Sequence, residues 1–282
     1  SNVSVHKALH SLENSLRCPL FKNEGRNLIP LKSAYVLEEH SKKIVQDIVT
    51  TVNKTREAAG FASKIFHLGS LYSLTVNTIP SVISGVKLRR GELDIQLLLS
   101  SNIDLIKKLK ETELDAIIVA LNETTSGQEF EHLPMFEDDI FLAVNKDSKY
   151  VGCDEIDLSQ LKDETFLTLA KGFATRSDSD VLFEKAKIDP KVFLQVSDIF
   201  TLISMVSSGV GFALLPGRIS TIYESSVKLI RLKQEYRIKQ EIGLGFLKSK
   251  ERDPNVLALI AECRMFTQKY NALKTKKGNS PL

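Results

Sequence analysis

Two histidines, His6 and His10, stand four residues apart in the stretch SVHKALHSLENSL, a spacing that sets both rings on one face of a helix and can hold a zinc ion. No glutamate follows His6 as it would in a metalloprotease helix, and no third ligand lies near, so no metal is expected. Gly209-Val210-Gly211 invites a dinucleotide-binding reading, but it lacks the third glycine and follows a helical pattern in place of a strand. Its ordinary explanation is a helix-to-strand turn, with Gly209 stopping the helix and Gly211 permitting close packing. There is no GxSxG, no P-loop and no HExxH, and the scattered Asp and Glu residues form no acid–base pair. The residues therefore predict neither catalysis nor a cofactor.

Binding chemistry is better served. Three stretches fall where α/β sheets receive small molecules, at strand C-terminal ends and helix N-termini. GSLYSL follows the first strand and brings Ser70, Leu71, Tyr72 and Ser73, with two hydroxyls ahead of a helix. SSNID follows the second and brings Ser100, Ser101 and Asn102, the last an apt N-cap. LAKGF follows a later strand and places Lys171 and Phe173 at the mouth of a second lobe, where Ile199 opens another helix. Serine and asparagine donors, helix N-termini and one lysine suit a small anion. On the residues alone, Ser70 and Asn102 serve equally well as plain helix caps, and that alternative stays open.

The elements that must position these groups follow from periodicity. Val5, Leu9, Leu12 and Leu16 repeat at helical spacing and predict a helix over 3–16. Leu20 and Phe21 anchor the next turn, and Asn23-Glu24-Gly25 supplies a hairpin tip. From 31 to 59 a charged helix carries a narrow stripe of Ala34, Leu37, Ile44, Ile48 and Val52, the pattern of a helix that pairs with another. Gly60 marks a change of texture. Strands at 65–69, 93–100 and 114–119 alternate with helices at 74–86 and 103–112, a rhythm that implies a parallel sheet. A second such unit runs through strands at 140–145, 166–169, 192–196 and 211–216, with helices at 178–187 and 198–208. A returning strand at 241–247 and a helix at 255–273 close the pattern.

Bulk composition narrows the class. The chain has 282 residues, 43% hydrophobic and 26% charged, with a net charge of +3. Residues 1–57 hold nine Lys/Arg against six Asp/Glu, so the positive excess sits at the start of the chain. Cys18, Cys153 and Cys263 are odd in number and widely spaced, which reads as free thiols in a reducing cytoplasm. No apolar run approaches a membrane span, and no signal peptide opens the chain, so no membrane partner is expected.

Against this background, SNVSVHKALHSLENSLRCPLFKNEGRNLIPLKSA resembles the winged helix-turn-helix of LysR-type transcriptional regulators. Ser1, Ser4, Val5, Leu9, Leu12, Glu13, Leu16, Leu20, Phe21, Arg26, Leu31 and Ala34 carry the match. Asn2, His6, Arg17, Asn23, Lys32 and Tyr35 depart from the family's Gln, Ser, Gly, Arg, Thr and Gly. LDAIIVAL and LVSDIFTLISMVSSGVGFALLPGRIS are similar to two further family stretches, so the resemblance spans essentially the whole chain.

The resemblance implies an α/β protein: a partial winged helix-turn-helix and long linker helix over 1–59, followed by a two-subdomain, periplasmic-binding-protein-like effector domain. Subdomain I is expected at 60–137 and 242–275, subdomain II at 138–241, and a tail at 276–282. A first helix and most of a second are expected ahead of Ser1. Ser4, His6, Lys7, His10, Arg26 and Lys32 become candidate contacts to double-stranded DNA, with a merely solvated face as the alternative for each. The effector, expected to be a small carboxylate, would sit between the subdomains of a homodimer or homotetramer that bends DNA and recruits RNA polymerase. The competing reading is a periplasmic-type solute-binding module without DNA function; an α/β transferase lacks the residues it would need.

Overall fold

The computed structural model describes residues 2–24, 27–58, 64–121 and 129–277. It divides into two units, Ser1–Ser63 and Lys64–Leu282.

The first unit is helix, hairpin, helix: α1 (Asn2–Leu16), β1 (Phe21–Glu24), β2 (Asn27–Pro30) and α2 (Lys32–Ala58). β1 and β2 pair antiparallel from Phe21↔Pro30 to Glu24↔Asn27. Glu13 ties the hairpin to α1, because one carboxylate oxygen accepts the backbone N–H of Leu20 at 2.7 Å and of Phe21 at 3.0 Å. Those two bonds hold the Glu13 carboxyl below its ordinary range. Arg17 follows α1 at φ 52°, a left-handed conformation that costs a side-chain-bearing residue but not glycine. That geometry explains why a glycine suits this position in the motif the segment resembles. Along α2, Ile44, Ile48 and Val52 of the expected stripe lie exposed.

The second unit contains β3 (Ile65–Ser70), α3 (Thr78–Arg89), β4 (Asp94–Leu99), α4 (Asn102–Lys110), β5 (Ala116–Ala120), β6 (Phe130–Asn145), β7 (Glu155–Ile156) and β8 (Thr165–Leu169). It continues through α5 (Ala174–Ala186), β9 (Lys191–Val196), α6 (Ile199–Ser207), β10 (Ala213–Pro216), β11 (Val227–Leu232), β12 (Lys239–Leu247) and α7 (Pro254–Lys277). The main sheet runs β4-β3-β5-β12-β6-β11-β7, with β10 also on β6, and β8-β9 form a separate parallel pair. β3 is parallel to β4 and β5, as the alternating rhythm predicts. The sheet as a whole is mixed, however, because β12, β10 and β11 all meet their neighbours antiparallel at β6 or β5.

β6 is the organising strand. Its first half pairs with β12 and its second half lies between β10 and β11. One core gathers Leu68, Val82, Leu105, Ile118, Leu244 and Leu259; the others gather Leu142, Phe166 and Leu182, and Ala143, Ile203 and Leu215. The sequence pattern begins this strand only at Ile140, because EHLPMFEDD interrupts the apolar run with charge and a proline. Pro134 is tolerated where the register slips between Ile242 and Gly243, leaving an irregularity in the ladder.

Two further boundaries differ from expectation. A single helix over 74–86 is replaced by a 3-10 turn, Tyr72–Val76, and then α3 from Thr78. A continuous helix would put Pro80 in its interior without an N–H to donate; in α3 the proline falls in the first turn, where that N–H has no partner to lose. α5 begins at Ala174, four residues before the expected start, and this moves its N-terminus to the end of the LAKGF turn. The glycine turn after α6 is as expected. Gly209 adopts φ 75°, and a Cβ on Gly211 would lie 2.8 Å from the Thr165 carbonyl oxygen.

Candidate functional site

The turns that follow β3, β4 and β8 come together. Ser100 donates its N–H to the Ser70 carbonyl at 3.3 Å, and Ile103 donates its N–H to the Gly172 carbonyl at 3.2 Å. Gly172 sits at φ 99°, which a side chain would strain, and it lies against Ser101. Next to this junction is a cavity of about 20 Å³, lined by Leu71, Tyr72, Ser73, Leu169, Phe173, Ala174, Thr175, Ile199 and Arg218. Five of the ten residues expected to meet an effector line it: Leu71, Tyr72, Ser73, Phe173 and Ile199.

The other five do not. Ser70 is fully buried and donates its hydroxyl to the Leu71 carbonyl at 3.3 Å. Ser100 lies at the strand end, and Ser101 is the N-cap of α4, accepting the Asp104 N–H at 3.3 Å. Asn102 is therefore not the cap. Its carboxamide is buried and clamps β5, accepting the Ala120 N–H and donating to the Ala120 carbonyl, both at 3.0 Å. Lys171 is exposed and lies outside the cavity lining. A short polar side chain at a strand end satisfies the nearest backbone groups first, and a lysine on a surface turn keeps its charge in water.

Asn102→Ala should thus act on stability. It leaves a buried N–H and C=O without partners, which costs about 2–3 kcal/mol, and calorimetric unfolding of the second unit should report that loss.

Arg218 is the residue that sequence reasoning passed over. It lies just beyond β10, in Pro216-Gly217-Arg218, and its side chain is 7% exposed. Nε donates to the Ser73 hydroxyl at 2.9 Å, Nη1 to Asp138 Oδ2 at 3.1 Å, and Nη2 to Gln240 Oε1 at 2.5 Å. Its backbone N–H reaches the same Asp138 oxygen at 2.9 Å. Asp138 and Gln240 face one another across β6 and β12, so the guanidinium binds the Tyr72–Val76 turn to the two strands that pass between the cores. Gln240 in turn donates to Asp178 on α5. Burial pushes the Asp138 carboxyl up while the Arg218 charge and N–H groups oppose it, and burial raises Asp178 to about 6. Burial lowers Arg218 too, from a value so high that the guanidinium stays charged. The available signal was a basic residue at the C-terminal end of a buried strand, where α/β proteins bind ligands. Thr175 was missed because the expected start of α5 lay beyond it.

The two helix N-termini at the cavity differ. Asp198 caps α6, its carboxylate accepting the N–H groups of Phe200 at 2.8 Å and Thr201 at 2.9 Å. α5 has no side-chain cap at Phe173, so its first turn, with Ala174 and Thr175, offers backbone donors.

Of the candidate DNA contacts, His6, Lys7 and His10 are exposed on α1, and Lys32 is exposed at the first residue of α2. His10 Nδ1 lies 3.2 Å from Glu13 Oε2, so its ring is turned toward the hairpin tie. Ser4 also belongs to α1, and Arg26 lies outside the described residues. No group of three or more metal-ligating side chains occurs among the described residues, and no described helix is long and apolar enough to cross a membrane.

An α/β unit with separate cores, strands shared between them and a largely apolar cavity with a few polar groups at the strand ends has the architecture of a small-ligand-binding domain. Comparison with known proteins gives the class a family. Residues 60–267 match the model of the LysR substrate binding domain. A malonate utilization transcriptional regulator of Klebsiella pneumoniae is 42% identical over 272 residues, covering 96% of this chain and 88% of that protein. The effector-binding domain of QuiR in complex with shikimate superposes with a TM-score of 0.64 at 22% identity, covering 73% of this chain and 98% of that one. CbnR, a LysR family transcriptional regulator, superposes with a TM-score of 0.65 at 15% identity, covering 95% and 90%. The chain belongs to the LysR family of transcriptional regulators, and its relatives are regulators of transcription, not enzymes.

Proposed function

We propose that this regulator senses a small carboxylate, with malonate the first candidate, in the cavity between subdomain I (60–137 and 242–275) and subdomain II (138–241). The observation that carries this reading is the cavity itself, where Ser73, Arg218 and the uncapped start of α5 converge on one space. The relative at 42% identity, named for malonate utilization, supports the choice of malonate. A volume of about 20 Å³ is on the order of one or two waters, whereas ligand pockets hold hundreds of Å³. An organic effector therefore needs the lobes to part, and β6 and β12 are the strands that would flex. In this reading α1 and the hairpin meet DNA through Ser4, His6, Lys7, His10, Arg26 and Lys32 in the cytoplasm. RNA polymerase is the partner that reads the altered complex.

The exposed stripe on α2 supports a homodimer, since Ile44, Ile48 and Val52 are otherwise apolar area given to water. Thermal shift and calorimetry against a panel of small carboxylates test the effector, with malonate expected to stabilise the protein and a failure of the whole panel to bind refuting the reading. Ile44→Lys with Ile48→Lys should weaken the dimer by at least about tenfold for each site, because each loses roughly 1.5 kcal/mol or more of apolar burial. Light scattering that shows unchanged assembly would show that α2 is not the dimer contact.

A further inference from the structure

The polar cluster behind the cavity has an unusual charge balance. Arg218 is the one cation among the described residues that line the cavity, yet Asp138 already neutralises it from β6 at 3.1 Å. A second carboxylate, Asp178 on α5, is joined to the same guanidinium through Gln240 on β12. The other groups that act on this cluster are Ser73 on the Tyr72–Val76 turn, the half-buried Asp139 next to Asp138 on β6, and Tyr270 on α7, which acts on both Asp138 and Arg218 and is held neutral by burial. Arg218, Asp138 and Asp178 together carry a net charge of −1 with both carboxylates ionised and zero with Asp178 protonated, and Asp139 beside them adds no compensating positive charge. The bonds from Arg218 to Ser73, Asp138 and Gln240 use three of its five side-chain N–H donors, so it retains donors for a ligand oxygen.

We propose that Asp178 sets the charge selectivity of the effector cavity: an anionic effector binds with the uptake of one proton from solvent, which converts the Asp178 carboxylate to the neutral acid. This inference rests on the reading that the effector is a carboxylate. The physical reason is the low dielectric around the cluster. An anion brought beside Arg218 adds to the negative charge already there, and in a buried site that repulsion is poorly screened. Neutralising Asp178 removes one negative charge, and the group is poised to accept a proton because burial raises it to about 6. Asp178 is a positioning residue in this scheme: it does not line the cavity and acts through Gln240 and Arg218.

The test is calorimetric titration of malonate and succinate into the full chain and its Asp178→Asn variant between pH 7 and 8.5, in two buffers of different ionisation enthalpy. For the wild type, affinity should fall with rising pH, by up to about tenfold per unit, and binding should draw in close to one proton. Asp178→Asn should bind about tenfold or more tightly than wild type at pH 8, with a flat pH profile and no proton uptake. Malonamide, which is uncharged, should show no pH dependence with either form. Equal affinities of wild type and Asp178→Asn at pH 8, or proton uptake that persists in the variant, would overturn the inference while leaving the carboxylate reading intact. Failure of both carboxylates to bind either form would overturn that reading, and the inference with it.

Discussion

Arg218→Gln should lower the stability of the second unit by about 3–5 kcal/mol at pH 8, a fall in Tm of roughly 6–20 °C for a unit of this size. The cause is the carboxylate left behind. Asp138 is 8% exposed, and Arg218 supplies the cation beside it together with two N–H groups, one of them from the backbone. Without the guanidinium, Asp138 must either stay charged in a poorly solvating site or take up a proton. The second course costs more the higher the pH, so the loss should be smaller at pH 5 than at pH 8. Ser73 and Gln240 also lose their partner. Adding Asp138→Asn to Arg218→Gln should restore at least about half of the loss, because the double variant buries no unpaired charge. Thermal unfolding of the two single variants and the double variant makes the measurement. Additive losses would show that the two side chains do not act as a pair.

Asp178→Asn should stabilise the protein at pH 8 and leave it unchanged near pH 3.5. The Asp178 carboxyl is raised from 3.8 to about 6, first by burial, with the Gln240 hydrogen bond and the Arg218 charge opposing. Below about pH 3.8 the group is protonated in both the folded and the unfolded chain and contributes no difference. Between that point and about 6 the folded protein holds a proton that the unfolded chain has released, so stability falls as pH rises. Above that window the penalty is complete, at most about 3 kcal/mol. Asparagine carries no such penalty and keeps an oxygen to accept the Gln240 bond. The difference in Tm between variant and wild type should therefore grow from near zero to several degrees between pH 4 and pH 7. A difference that stays constant with pH would mean that Asp178 titrates as it does in water.

The family and the chain order of its elements were legible in the sequence because both rest on local patterns. The helical repeat of Val5, Leu9, Leu12 and Leu16, the strand of Ala116–Ala120 and the turn at Gly209 each depend on neighbouring residues and on backbone preferences that operate without the rest of the fold. Half of the residues expected to meet an effector line the cavity for the same reason, since strand ends and helix starts can be located from periodicity. What a polar side chain does at such a place was not legible. Asn102 and Ser73 have similar local surroundings, yet one clamps the Ala120 backbone and the other faces Arg218, 145 residues away in the chain. Burial and long-range pairing decide between those fates: β5 is brought beside Asn102 for the one, and β6 and β12 meet in register against Arg218 for the other. Asp138, Asp178, Arg218 and Gln240 read as ordinary surface polar residues along the sequence; tertiary structure alone removes them from water, and that removal is what gives them their chemistry.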